Sequence, residues 1–439
     1  MVIPFFFKNI APVILFAAAV LPQGASAQTR IMSLEEVVQL GVTNSRQLQV
    51  SGAKVLAAQA KIAQYRDQLI PAINYTGSYY RLSDNITPFE TPLFSVPVLL
   101  NQSQHRIALS ETIFTGFRAK NTIESGVFLT NAARYDAARD QADVKLNLIA
   151  AALNLYKLQE ASRVFERNLS TARTRQADLN NLRAQGLAVD NDVFKSELAV
   201  EQLVAALSES DNAIRAAQFS LSLLCNLPED TSIRLDSASV LTAIERAGSL
   251  EDYLTGAANT AGVRAARERS NAAGKQVDVS RGAVLPTVSV GANYYYNNPN
   301  LRQFPATDKF IGTWDAGVGV TWNLGSLYTS RHTVEESRAN QIQYEAVANQ
   351  LTDAARIDIA SQYYSLQSAL QKIAVADKSV LSAAENQRIT QLRQSQQVAT
   401  ATDLLEADSM LIQAQINALT ARVDARSAWY RLQKSAGRL

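Results

Sequence analysis

Hydrophobic and polar positions fall into two regimes along this chain. Over 118–182 and 329–396 the apolar positions recur with helical spacing and proline is absent; Gly126 is the one glycine in either stretch. At 1.5 Å per residue, about 65 residues span roughly 100 Å. A periodic pattern this long predicts a coiled coil rather than a globular helix. Alanine, leucine, glutamine, glutamate and arginine, all good helix formers, dominate both stretches. The apolar positions are often alanine, as in AAAL (150–153) and AAENQ (383–387). Such helices bury little area alone, so neighbours must supply the packing. Shorter helices are expected at about 191–225 and 402–435, running back along the long ones. Helices at about 33–68 and 251–282 would extend that return path.

The second regime alternates with period two. Ile73, Tyr75 and Tyr79 alternate with Asn74, Thr76 and Ser78 over 72–81; Ile107, Leu109 and Ile113 alternate with Arg106, Ser110 and Thr112 over 105–114. Val288, Val290 and Tyr294 mark a strand at 287–296, and Trp314, Val318, Val320 and Trp322 one at 313–323. Glu111 falls on an apolar register. About ten residues is enough for a tilted strand to cross a bilayer. Tyr79, Tyr80, Tyr294, Tyr295, Trp314 and Trp322 are candidates for aromatic girdles. The loops 82–103 and 297–312 would cap the outer mouth.

The two regimes occur twice in the same order. LIPAINYTGSYY (69–80) matches VLPTVSVGANYY (284–295), and IAAALNLYKLQEA (149–161) matches IDIASQYYSLQSA (357–369), with Ile149/Ile357 and Tyr156/Tyr364 among the shared positions. The expected division is therefore a first repeat at 28–227, a linker at 228–250 with a short strand candidate SIRL, and a second repeat at 251–439. Pro71 and Pro286 stand at the helix–strand junctions. Each removes an N–H and pushes the preceding residue toward extended geometry.

Two hairpins make four strands. Lipid leaves open sheet edges unsatisfied, and ordinary single-chain barrels begin at about eight strands. Four strands therefore require other copies of the chain; two, three or four copies would all remove the edges.

Composition narrows the class. With 47% hydrophobic and 19% charged residues the chain can build a core, and its net charge of +2 offers nothing concentrated for nucleic acid. Residues 1–27 read as a secretory signal peptide: Lys8, the apolar stretch at 11–20, then Ala25-Ser26-Ala27. No later apolar run is long enough for a membrane helix. His105 and His332 belong to no metal-ligand cluster, and the single Cys225 has no intrachain partner. No glycine-rich phosphate loop or nucleophile motif is present, so neither an enzyme nor a cofactor is expected.

The inner ends of the helical hairpins fall at 183–190 and 397–401. Gly186 permits the first turn, whereas the second has Gln396-Gln397-Val398. Asp190 or Asn191, and Thr400 or Thr402, are candidate helix caps. Asp403 and Glu406 share a face at i,i+3; a ring of copies would stack them as two anionic rings that repel each other and attract cations. Acidic residues also suit the first turn of any helix. The equivalent first-half positions are Asp192 and Lys195, so the halves differ in charge.

SLEEVVQLGVTNS (33–45), LIPAINYTGSYY (69–80), SETIFTGFRAKN (110–121), GLAVDNDVFKSE (186–197) and TDLLEADSMLIQAQINAL (402–419) together resemble the TolC-type outer membrane factor family. Each motif is loose, but the ordered double set spans nearly the whole mature chain. The resemblance implies a mostly α fold with a membrane β-barrel: a homotrimer whose twelve strands, four per chain, continue into a long periplasmic α-helical barrel. It further implies an exit duct of a tripartite efflux or type I secretion system in the outer membrane, docked to a periplasmic adaptor and an inner-membrane efflux or ABC transporter. Asp403 and Glu406 match the paired acidic aperture positions of the family. Arg183, Gly186, Leu187, Arg393 and Val398 are the candidate adaptor contacts at the tips. The rival reading is a secreted periplasmic coiled-coil scaffold or adaptor without a pore; it explains the helices but not the strand pairs.

Overall fold

The computed structural model describes residues 30–86, 89–90, 92–93, 95–96, 98–240, 248–304, 306–396 and 398–439. The expected signal peptide at 1–27 lies outside the described residues. The first part of the chain contains β1 (Arg30–Met32), α1 (Leu34–Asn44), α2 (Arg46–Asp67), β2 (Ala72–Arg81), the short pair β3 (Phe89–Glu90) and β4 (Ser95–Val96), and β5 (Asn101–Phe114). It continues through α3 (Arg118–Ala184), α4 (Asp190–Cys225), β6 (Ile233–Leu235) and α5 (Ser237–Val240). The second part contains α6 (Leu250–Leu254), a 3-10 turn (Ala257–Asn259), α7 (Ala261–Gly282), β7 (Thr287–Asn298), β8 (Ile311–Thr321), α8 (Ser326–Ser395) and α9 (Ala401–Ser435).

The long helices α3 and α8 hold 67 and 70 residues, each about 100 Å long. Helices α2 and α4 lie along α3, and α7 and α9 pack on both α3 and α8. Two expected helices are divided. The 33–68 helix breaks at Ser45, which ends α1 and caps α2 by accepting from Leu48 N at 3.3 Å. The 251–282 helix breaks between Thr255 and Thr260 into α6, the 3-10 turn and α7. No described helix is long and apolar enough to cross a membrane.

The strands β2-β5-β7-β8 form one antiparallel sheet, with β2 and β8 at its edges. Register aligns Tyr75, Ile107, Tyr294 and Trp314 in one row across the sheet, and Asn74, Ala108, Asn293 and Asp315 in the next. Three boundaries differ from the pattern. β5 starts at Asn101 because Gln102 and Gln104 pair with Tyr80 and Ser78 although they bring no apolar alternation. β7 continues to Asn298. β8 ends at Thr321, so Trp322 lies beyond the strand and donates its indole N–H to Val284 O at 2.9 Å.

The core is a belt half-way along the long helices. Leu148, Ile149, Ala152, Leu153, Leu155 and Tyr156 of α3 meet Met32, Leu34, Val37, Leu221, Cys225, Ile233 and Leu235. A second cluster joins Ile359 and Leu366 of α8 to Tyr253, Ala428 and Leu432. Residues 228–240 do more than link, since β6 pairs in parallel with β1 and closes the first cluster. Cys225 is fully buried there, and burial pushes its thiol up to about 11.

Candidate functional site

The four-stranded sheet carries opposite chemistries on its two faces. One exposes Ile73 (72%), Tyr75 (67%), Trp314 (74%), Val318 (70%) and Val320 (67%). A water-exposed apolar patch this continuous marks a surface meant for another phase. The alternate positions carry Asn74, Thr76, Arg106, Ser110, Asn293 and Asp315. Alternation of apolar-out and polar-in is the pattern of a membrane barrel wall. The aromatic assignment needs correction: Tyr80 and Tyr295 share the polar registers, while Tyr296, not singled out by the alternation, shares the apolar one with Tyr294. Glu111 stands between apolar neighbours, aligned with Val290 and Val318.

Pro71 and Pro286 each stand one residue before a strand, after α2 and α7 have ended at Asp67 and Gly282. What the sequence pattern missed is the contact beside them. Gly116 has φ +64° and lies against Gly282: a Cβ on Gly282 would sit 2.3 Å from Gly116 O, and one on Gly116 would sit 2.5 Å from Gly282 O. Two backbones cross here without side chains between them. Phe117 is also left-handed, at φ 63°, before α3 begins. Arg118 ties the crossing to the second hairpin, donating to Thr115 O at 2.9 Å and to Thr287 Oγ1 at 3.1 Å. The two glycines were visible in the sequence, but their proximity across 166 positions was not.

At the inner end both turns close alike. Leu187 N donates to Leu182 O and Val398 N to Arg393 O, each at 2.8 Å. This is the six-residue closure of a Schellman turn. Gly186, at φ +75°, supplies the left-handed residue in the first; Gln397 of the second lies outside the described residues. Leu187 and Val398 are both 63% exposed, as is Val189. Arg183 does not stand alone: its Nε meets Asp190 Oδ1 at 2.7 Å across the turn. Val189, not Asp190 or Asn191, occupies the cap position of α4, and its side chain makes no cap hydrogen bond.

Thr400 caps α9. Its Oγ1 accepts from Asp403 N at 3.1 Å, and the Asp403 carboxylate accepts from Thr400 N at 2.8 Å. These bonds, with Arg393 nearby, hold the Asp403 carboxyl below its ordinary value. Glu406 is exposed one turn on. The two tips are tied together: Lys195 Nζ donates to Thr402 Oγ1 at 3.0 Å, and Arg175 is ion-paired with Asp408. Asp408 also accepts from Gln387 at 3.2 Å. A cleft of about 770 Å³ lies between the tips, lined by Leu179, Leu182, Leu187, Thr400 and Leu404 among others. Among the described residues no group of histidine, cysteine and carboxylate side chains is placed to hold a metal.

The chain is 25% identical over 438 residues to the outer membrane efflux protein BepC of Brucella suis, covering 98% of this chain and 90% of the relative. It is 23% identical to the outer membrane protein TolC of Vibrio cholerae over 98% of this chain and 96% of that one. Its fold matches the crystal structure of CusC with a TM-score of 0.79 at 14% identity, covering 99% of both chains. The family model described as outer membrane efflux protein matches residues 257–438. Two-faced strands on helices about 100 Å long, and relatives matched over nearly their whole length, give this chain the fold of the TolC-type outer membrane channels and a likeness to the outer membrane efflux proteins.

Proposed function

We propose that this chain is one subunit of a homotrimeric exit duct that conducts solutes passively from a periplasmic pump assembly, of the tripartite efflux or type I secretion kind, to the outside. The observation that carries the reading is the four-stranded sheet with one apolar face, one polar face and two unpaired edges. Hydrocarbon does not tolerate those edges, so β8 of one copy must pair with β2 of the next; three copies make twelve strands and a lumen wide enough for water. The helices give the same indication. Ile149 and Tyr156 are buried, yet their sequence counterparts Ile357 and Tyr364 are 71% and 62% exposed on α8. A neighbouring copy would cover them.

Further assignments belong to this reading. Cleavage after Ala27 removes a signal peptide, and the chain divides into repeats at 28–227 and 251–439 around the equatorial segment 228–250. Asp403 and Glu406 form stacked acidic rings that restrict the inner aperture and favour cations; because the Asp403 carboxylate also closes the α9 cap, charge and local helix order act together there. Arg183, Gly186, Leu187, Arg393 and Val398 present the two tips to a periplasmic adaptor. An inner-membrane efflux or ABC transporter supplies the energy.

The test is the state of the purified protein. Extraction from membranes should require detergent, the particle should have the mass of three chains, and it should form ion channels in planar bilayers. The D403A/E406A variant should conduct more and discriminate less in favour of cations. A monodisperse monomer released without detergent would overturn the duct in favour of a secreted scaffold.

A further inference from the structure

On the polar face of the sheet, the charged side chains on strands are Arg106 of β5 and Asp315 of β8; every other described position on that face is uncharged. Both belong to one network. Arg106 donates through Nε and Nη2 to Asn293 Oδ1 at 2.9 and 2.7 Å, and Asn293 donates to Asp315 Oδ1 at 2.7 Å. The other Asp315 oxygen accepts from Arg302, at 2.5 Å, and Arg302 comes from the loop after β7. Its guanidinium lies 4.3 Å from the centroid of the Tyr295 ring, and that of Arg106 lies 5.7 Å from it. The loop is pinned at its root: Asn300, 1% exposed, donates to Ile311 O at 3.3 Å and accepts from Arg302 N at 2.9 Å. The loop therefore folds across the polar face, which the closed barrel would turn toward its lumen.

We propose that Arg302 and Arg106 form a cationic selectivity ring inside the outer part of the pore, with Asp315 and Tyr295 latching the loop that carries Arg302. Two arginines against one aspartate leave one net positive charge per chain on a wall otherwise neutral, repeated around the ring. Low-dielectric walls focus such a field along the lumen. The site favours anions and solutes bearing acidic groups at the exit, opposite in sign to the acidic inner aperture. Its assignment rests on the exit-duct reading.

The experiment is the reversal potential of the full-length assembly in planar bilayers under a KCl gradient, read in the native chain and in the D403A/E406A background. R302Q and R106Q/R302Q should raise the K⁺ to Cl⁻ permeability ratio at least twofold in one or both backgrounds. D315N should lower it, and R302K, which keeps the charge, should preserve it. An unchanged ratio in R302Q and R106Q/R302Q in both backgrounds would overturn the ring while leaving the duct intact. Absence of any channel in the native chain would instead remove the duct, and the ring with it. A rise of the ratio in R302K as large as in R302Q would also overturn the cationic ring, since the side chain would then act through shape rather than charge.

Discussion

At the scale of single residues, Thr400 and Asp403 show how a local capping rule shares atoms with the proposed acidic aperture. The pair makes a reciprocal capping box, satisfying two N–H groups that the first turn of α9 leaves without partners. A carboxyl held below its ordinary value contributes stability that is complete at neutral pH and is lost as pH falls below that value, 3.8 for aspartate. Amide hydrogen exchange at 400–404, corrected for intrinsic rate, should therefore accelerate on acidification below about pH 4. T400A should produce the same fraying at neutral pH, at a cost of about 1 kcal/mol. Protection independent of both changes would show that the box does not hold the tip. Asp403 was legible in the sequence as an acidic first-turn residue. Its bond back to Thr400 N was only implicit in the T-x-x-D spacing.

At the scale of elements, the helix-to-strand passage depends on residues with little or no side chain. Proline stands between the end of α2 or α7 and the strand that follows, a position readable from its chemistry alone. The Gly116–Gly282 crossing was not, because a glycine declares a freedom without naming the neighbour that needs it. A Cβ on Gly282 would press on backbone and on the Arg118 side chain, leaving no flexible group alone to absorb it. G282A should thus cost about 1–3 kcal/mol, the usual range for forcing atoms into a packed site. The heat resistance of the detergent-solubilised particle on a gel should fall accordingly. Unaltered resistance would mean that the crossing relaxes without penalty. The strands show the same division: apolar alternation located Tyr75, Ile107 and Val318, whereas the extra residues of β5 were invisible because Gln102 and Gln104 are strand-paired without an apolar alternation.

At the scale of the whole molecule, the earlier and later parts of the chain are joined by contacts between residues far apart in sequence. Arg175 of α3 and Asp408 of α9 are partly buried, with side chains 14% and 21% exposed, and they tie the inner ends of the halves together. Burial lowers the Arg175 value, so the ion pair offsets a real desolvation cost. R175M should destabilise the packing between the tips by about 1–3 kcal/mol, between the exposed and the buried limits for such pairs. Limited proteolysis near 183–190 and 398–401 should be faster in R175M, and R175M/D408L should recover part of the loss. Equal cleavage rates in all three proteins would exclude a tie at this position.

Periodicity, proline placement and the doubled order of elements were enough to establish long helices, paired strands and an incomplete sheet, because helix and strand periods and the lack of an N–H in proline are properties of the chain itself. The fold also followed from the resemblance those patterns carry. Burial did not follow. Ile149 and Ile357 occupy matching places in the sequence, yet one is 3% exposed and the other 71%, since burial is set by what packs opposite. Ile149 belongs to a core cluster that gathers β1, α1, α4 and β6, segments far apart along the chain. The parallel β1–β6 pair, the Gly116–Gly282 crossing and the Arg302–Asp315 latch likewise exist only when distant residues meet, so the tertiary structure alone decided them.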